Sequence, residues 1–170
     1  LAGLKTGSLF SCPYSSQKMI IKEIREFNQK LTQKGIRIIP VRISDKRMLV
    51  YVYRPEKLKE DFSDEKTQII LKCKGYDCTN LSQCICRLIQ KLQSDPDFPH
   101  EIGLFLGYPA EDVKGFIENK AACSKCSGCW KVYGDEQAAR ILFKKYKKCT
   151  EIYCRRWKSG VAVEQLTITI

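Results

Sequence analysis

Two strand-like runs joined by four polar residues constrain the fold of this chain more than any other feature. Residues 36–43 and 48–53 are rich in β-branched and aromatic side chains, and residues 44–47 between them have the length of a hairpin connection. Pro40 has no backbone N–H to donate to a sheet, so it places the first run at a sheet edge or a bulge. The sequence therefore predicts an antiparallel β-hairpin within a small sheet.

Helical periodicity surrounds this hairpin on both sides. Apolar residues recur at helical spacing through residues 16–34, where Gly35 follows as a C-terminal cap, and again through residues 81–92. Residues that favour a helix start stand at four further places: Pro55, Ser63 or Asp64, Pro109 and Asp135. Additional short strands are predicted over residues 102–106, 130–133 and 166–170.

Length and composition indicate one globular unit. A chain of 170 residues with 44% hydrophobic residues can bury a conventional core. Its apolar runs are far shorter than the ~20 residues that span a bilayer, so no membrane segment is predicted. Residues 95–99 have the composition of a linker and mark a possible subdomain boundary. We predict a single α+β (mixed α/β) domain over residues 1–170, with a small sheet flanked by several helices.

The ten cysteines are too few for a disulfide scaffold at this length, because such scaffolds exceed ~8% cysteine in short chains. Reduced thiols or metal thiolates are expected instead, which favours a cytoplasmic location.

Several motifs are long and follow one another along nearly the whole chain: LAGLKT at residues 1–6, YVYRPEKL at 51–58, FPHEIGLFLGYP at 98–109, EDVKGFIENK at 111–120, WKVY at 130–133 and EQLT at 164–167. Together they resemble domain-of-unknown-function family 3793. The resemblance implies a bacterial cytoplasmic protein, typical of anaerobes, with a part in metal or redox housekeeping. It also implies a short leader with a His-Cys pair ahead of Leu1, which would add two residues to any count of ligands.

The spacing of Cys123, Cys126 and Cys129 predicts a thiolate site. Sulfur atoms at i, i+3 and i+6 of a turn can converge on one ion, as in zinc knuckles and iron–sulfur proteins. A fourth ligand could come from His100, Cys149 or Cys154, so zinc, iron or an iron–sulfur cluster is the expected cofactor. The alternative is that these cysteines serve as small apolar residues in the core.

A second chemical possibility uses the same segment. Lys125 beside the thiols favours the reactive thiolate form, and His100 with Glu101 forms a proton-transfer pair by residue type. An enzyme that uses Cys126 with these two residues is therefore a further hypothesis. Its alternative is a turn-capping histidine beside a glutamate that is solvated or paired to a lysine.

The excess positive charge is concentrated near the C-terminus. The formal net charge is +11, and residues 140–158 hold eight basic residues against Glu151 alone. The basic residues are Arg140, Lys144, Lys145, Lys147, Lys148, Arg155, Arg156 and Lys158. Such a field attracts nucleic acid or an acidic protein partner such as a flavodoxin, and it also fits a merely solvated helix face.

An apolar stripe follows the same predicted helix at steps of three and four. It consists of Ala138, Leu142, Tyr146, Cys149, Tyr153 and Trp157. We expect this stripe to face the core, which leaves the basic residues on the other faces. The leading hypothesis is thus a thiolate metal-binding or redox-linked accessory protein, and the runner-up is a basic binding module.

Overall fold

The computed structural model describes residues 1–94 and 98–169. It contains eight helices and two small antiparallel sheets within those residues, so the predicted α+β class is confirmed. The predicted boundary at residues 95–99 lies mostly outside the described residues, and so does Ile170 at the end of the predicted last strand.

The main sheet has three strands in the order β1-β3-β2. They are β1 (Gly7–Pro13), β2 (Arg37–Ile43) and β3 (Arg47–Tyr53). The predicted hairpin is confirmed as β2 and β3, and its register shifts between Pro40 and Arg42. Pro40 thus stands on an edge strand beside a bulge, where its missing N–H costs no ladder hydrogen bond. The sequence patterns missed β1, because most of its side chains are exposed and its apolar alternation is weak.

The helices follow in chain order: α1 (Gln17–Leu31), α2 (Pro55–Asp61), α3 (Glu65–Cys73), α4 (Leu81–Ser94), α5 (Ile102–Phe105), α6 (Ala110–Glu118), α7 (Glu136–Lys158) and α8 (Val163–Leu166). Side-chain caps fix four of the starts. Ser16, Asp64, Asn80 and Asp135 each accept a hydrogen bond from a backbone N–H in the first turn of the helix that follows.

Two predicted strands are wrong. Residues 102–105 form α5, whose four residues are all buried, and Leu106 is its C-terminal cap. An apolar run buried on every side has no periodicity that separates a helix from a strand. At the C-terminus, α8 ends at Leu166 and residues 167–169 are irregular. The N–H of Ile168 donates to the carbonyl of Leu1, but none of these described residues joins a strand ladder.

The principal core lies between one face of the sheet and the helices α2 to α6. Tyr51 of β3 is fully buried there, and its hydroxyl donates to the carbonyl of Phe105 at 2.6 Å. On the opposite face of the sheet, Ile24 of α1 packs with Met48 and Val50.

A third, smaller cluster connects the cysteine segment to α7. Trp130, Val132 and Ala139 are buried together, and Trp130 meets the ring of Phe143 edge to face. The short strands β4 (Cys126–Ser127) and β5 (Lys131–Val132) pair antiparallel and contribute Cys126 and Val132 to this cluster. The prediction of a strand within residues 130–133 is therefore confirmed. Across the described residues, no helix combines the length and apolarity needed to cross a membrane.

Candidate functional site

The cysteine segment is a tight hairpin. Cys126 pairs with Val132 across β4 and β5, and the N–H of Gly128 donates to the carbonyl of Trp130 at 3.0 Å. Cys129 therefore lies in the turn between the strands. The segment that leads into the hairpin is unusual, because three non-glycine residues have left-handed backbones: Lys120 (φ 47°), Ala121 (φ 67°) and Cys123 (φ 58°). Such conformations persist only where the surrounding structure enforces them.

The buried carboxylate of Asp112 holds this hairpin in place. Asp112 is 3% exposed and lies in the first turn of α6. It accepts hydrogen bonds of 2.7 Å from the indole N–H of Trp130 and from the backbone N–H groups of Tyr133 and Gly134. Both carboxylate oxygens are thus engaged by the segment that follows the cysteines. Sequence reasoning missed this role, since nothing in residues 111–112 indicates partners some twenty positions later.

The three cysteines of the predicted site face different surroundings. Cys123 and Cys129 are exposed, whereas Cys126 is half-buried and packs against the cluster of Trp130, Val132 and Ala139. Among residues 1–94 and 98–169, no three His, Cys, Asp or Glu side chains are grouped so that they could hold a metal ion. All ten cysteines are free thiols. Metal binding by the predicted ligands therefore stays a prediction.

His100 and Glu101 also go to different environments. Glu101 is 4% exposed, pairs with the Lys91 ammonium at 2.7 Å and accepts a hydrogen bond of 3.1 Å from the Tyr76 hydroxyl. Burial alone would raise the pKa of Glu101, but the hydrogen bond and charge of Lys91 outweigh it together with a backbone hydrogen bond and the Tyr76 hydroxyl, so the pKa is lowered. His100 is exposed, and its ring meets the ring of Phe116 edge to face, with 4.9 Å between the two ring centroids. Glu101 thus serves as the partner of a lysine, as the alternative for this pair predicted.

Cys129 lines two cavities. One, of about 310 Å³, is also lined by His100 and Trp130. The other is a cleft of about 550 Å³ between the N-terminal segment and α7, also lined by Cys149 and Cys154. His100 and Cys149 were both predicted as ligands. Each lines a cavity together with Cys129, but the two cavities are different. We call the second cavity the thiol cleft.

The basic residues predicted for binding are all exposed on α7: Arg140, Lys144, Lys145, Lys147, Lys148, Arg155, Arg156 and Lys158. Arg140 forms an ion pair with Glu136 one turn away at 2.6 Å. The other seven have no acidic partner within the part of the chain that the structure describes. Their charge is consequently directed at solvent, with no partner side chain that neutralises it.

The predicted apolar stripe of α7 is only partly correct. Four of its members are half-buried: Leu142, Tyr146, Cys149 and Tyr153. At the start of the helix the buried residue is Ala139, and Ala138 is exposed. Trp157 was predicted to face the core, but it is 61% exposed. Helical spacing gives the side of the helix on which Trp157 lies, but it does not determine whether another element packs against that position.

The side of α7 that points away from Ala139 mixes cations with aliphatic side chains. At 3.6 residues per turn it comprises Ile141, Lys144, Lys145, Lys148, Ile152 and Arg155, which we call the outward face of α7. Ile141 is 50% exposed and Ile152 is 43% exposed. This surface therefore offers apolar contact area between its charges.

The chain belongs to the family described as protein of unknown function DUF3793, whose model matches residues 1–167. The comparisons found no match among curated proteins and none among solved structures.

Proposed function

We propose that the protein is a basic docking module that binds a polyanionic partner through the outward face of α7. The observation that carries this proposal is that four exposed cations share this face, Lys144, Lys145, Lys148 and Arg155, and that none of them has an acidic partner in the described residues. Unpaired surface charges of one sign create a field that raises the local concentration of an oppositely charged partner.

The dimensions and chemistry of the helix support this proposal. Its 23 residues extend over roughly 34 Å at 1.5 Å per residue, so the charges form a line rather than a point. A linear array of cations suits an extended polyanion, because successive anionic groups can be met in register. Ile141 and Ile152 lie on the same face and would add apolar contacts to a partner bound there.

A comparison of two charge-reversed variants tests the proposal. The first, K144E/K145E/K148E, reverses three cations of the outward face. The matched control, K18E/R25E/K59E, makes the same change in net charge at three exposed cations on other helices, which have no ion-pair partner in the described residues. The probe is immobilised heparin, and the measurement is the salt concentration at which each protein elutes.

We expect the α7 variant to elute at clearly lower salt than the control, because salt screens localised contacts with the polyanion and the variant has fewer of them. Equal elution of the two variants would contradict the proposal, since it would show that only net charge matters.

The thiols support a second candidate function, binding of a thiophilic metal ion or thiol redox exchange. The observation that favours it is the thiol cleft, where Cys129 from the hairpin turn lines the same cavity as Cys149 and Cys154 from α7. These side chains are not grouped closely enough to hold an ion in the described residues, so coordination by all three would require them to move together. Zinc and iron are the metals whose thiolate chemistry fits this residue type.

Cadmium titration of protein purified without oxygen tests the second candidate, because bound thiolates absorb in the ultraviolet when Cd²⁺ coordinates them. The variant C129S/C149S should lose this absorption. The control C73S/C86S, which changes two exposed cysteines outside the cleft, should keep it. Absorption that is absent, or equally reduced in both variants, would refute metal binding at the thiol cleft.

A further inference from the structure

We infer that the protein binds a small molecule that carries a planar aromatic ring and an anionic group, in two adjoining cavities beside the cysteine hairpin. Among the described residues, none of those that line these cavities belongs to α7. The inference is therefore independent of the proposed docking through α7, and it assigns the chain a separate ligand site.

One of the two cavities is the pocket of about 310 Å³ between α5, α6 and the cysteine hairpin. Four aromatic side chains line it: Phe98, Tyr108, Phe116 and Trp130. Tyr108 and Trp130 stack on each other, with 4.6 Å between their ring centroids. Small-molecule pockets are typically lined by aromatic side chains with a few polar groups, and such walls suit a flat ring. We call this cavity the aromatic pocket.

The other cavity, of about 700 Å³, adjoins the aromatic pocket, because Phe98, His100 and Phe116 line both of them. Its lining also includes three lysines: Lys74, Lys91 and Lys120. We call this second space the basic cavity.

The charges that line the two cavities favour an anion. In the described part of the chain, Glu101 is the one acidic residue that lines the basic cavity, and it is already paired with Lys91 at 2.7 Å. Lys74 and Lys120 are exposed and form no ion pair within the described residues. The acid that lines the aromatic pocket is Asp112, whose two oxygens accept hydrogen bonds from the hairpin. An anionic ligand would therefore meet two free cations beside carboxylates that already have partners.

His100 lies where the two cavities adjoin. Its ring is exposed and meets the ring of Phe116 edge to face, with 4.9 Å between the centroids. An imidazole N–H can donate to a carboxylate or phosphate oxygen. A ligand whose ring enters the aromatic pocket would thus place an attached anionic group next to His100 and toward the free lysines of the basic cavity.

Lys131 of β5 connects the walls of the two cavities. It lines the aromatic pocket, and its ammonium donates to the carbonyl of Ala121 at 2.8 Å. Ala121 and its neighbour Lys120 line the basic cavity, and both have left-handed backbones. Non-glycine residues in this conformation are strained and cluster at ligand sites. The hydrogen bond from Lys131 therefore ties the strained segment, and the free cation on it, to the aromatic pocket.

Isothermal titration calorimetry of the whole chain at low salt tests the inference, with naphthoate as the probe. Naphthalenemethanol keeps the ring without the charge, and cyclohexanecarboxylate keeps the charge without an aromatic ring. We expect naphthoate to bind about tenfold more tightly than either, because it alone has both features. Naphthyl phosphate distinguishes the two sources of negative charge: binding tighter than that of naphthoate indicates a phosphorylated ligand, and weaker binding indicates a carboxylate.

Two pairs of variants locate the bound probe. H100A removes the exposed ring shared by the cavities, and its control F27A removes an exposed ring of α1 that lines neither. K131M removes the lysine of the aromatic pocket. Its control K125M changes a lysine of the same segment that also donates to a backbone carbonyl, that of Gly134, but lines neither cavity. H100A and K131M should each bind naphthoate about tenfold more weakly, and both controls should bind it like the wild type.

Several results would overturn the inference. Absence of naphthoate binding would refute the site, and naphthoate that binds no more tightly than naphthalenemethanol or cyclohexanecarboxylate would show that one of the two features is not recognised. Wild-type affinity in H100A, or equal losses in K131M and K125M, would place the probe elsewhere. The elution of K144E/K145E/K148E from heparin tests the proposed function separately, and H100A should elute from heparin like the wild type.

Discussion

Trp130 donates its indole N–H to the buried carboxylate of Asp112 across 2.7 Å. This contact ties the cysteine hairpin to α6, while the same indole meets the ring of Phe143 of α7 edge to face. The hairpin is thus held from two sides, and the positions of Cys126 and Cys129 depend on a residue that is neither a cysteine nor adjacent to one in sequence.

The substitution D112N should loosen the hairpin. An amide keeps one acceptor oxygen and turns an NH₂ group toward a donor, so at least one of the three hydrogen bonds to the carboxylate is lost. We expect a loss of about 2 to 3 kcal/mol in the free energy of unfolding, measured with urea. In a W157F background the emission of Trp130 should also shift to the red as water reaches it.

The control for this prediction is E111Q, because Glu111 is the exposed neighbour of Asp112 and forms only a surface ion pair with Lys66. It should change stability by less than about 1 kcal/mol. If D112N were no more harmful than E111Q, the carboxylate would not hold the hairpin.

Gly128 should be intolerant of a side chain. A methyl group at this position would overlap the ring of Phe143, so G128A should push the hairpin turn away from α7. Overpacking of this kind costs about 1 to 3 kcal/mol. The variant F143A removes the obstructing ring, so G128A should cost less in the F143A background than alone. Additive effects in a double-mutant cycle of unfolding free energies would show that the turn and α7 are not in contact.

The Lys91–Glu101 ion pair should make stability depend on acid pH. Folding lowers the pKa of Glu101 from its ordinary value of 4.5, so the folded state favours the carboxylate. The resulting stability is fully present above about pH 4.5 and is lost as the pH falls through the folded-state pKa. E101Q should therefore destabilise the protein by about 3 kcal/mol at neutral pH, because the half-buried ammonium of Lys91 loses its partner.

Unfolding curves between pH 3 and pH 7 would check this prediction. E101Q should show a flatter dependence of stability on pH at the acid end than the wild type. E118Q, which removes an exposed carboxylate paired with Lys114, should keep the wild-type dependence. Parallel curves for E101Q and the wild type would contradict the assignment.

Local signals made much of the fold predictable from sequence. The hairpin of β2 and β3 and the start of α7 at Asp135 follow from side-chain patterns within a few residues, and the structure confirms both. The run at 102–106 could not be assigned in this way, because α5 is buried on all sides and carries no periodicity.

The candidate site was less predictable, because its contacts join distant parts of the chain. The role of Asp112 depends on residues 130–134, which no local pattern connects to α6. The exposure of Trp157 depends on which other elements pack against the end of α7. Helical spacing gives the side of α7 on which a residue lies, but not whether anything packs there.

The most direct test of the docking proposal is to map the bound surface on the isotopically labelled chain by nuclear magnetic resonance, with a heparin oligosaccharide as the probe. We predict that amide shift changes cluster on α7 around Lys144, Lys148 and Ile152, and that they vanish at high salt. Changes of similar size at exposed cations on other helices, such as Lys18 and Arg25 of α1, would contradict the account.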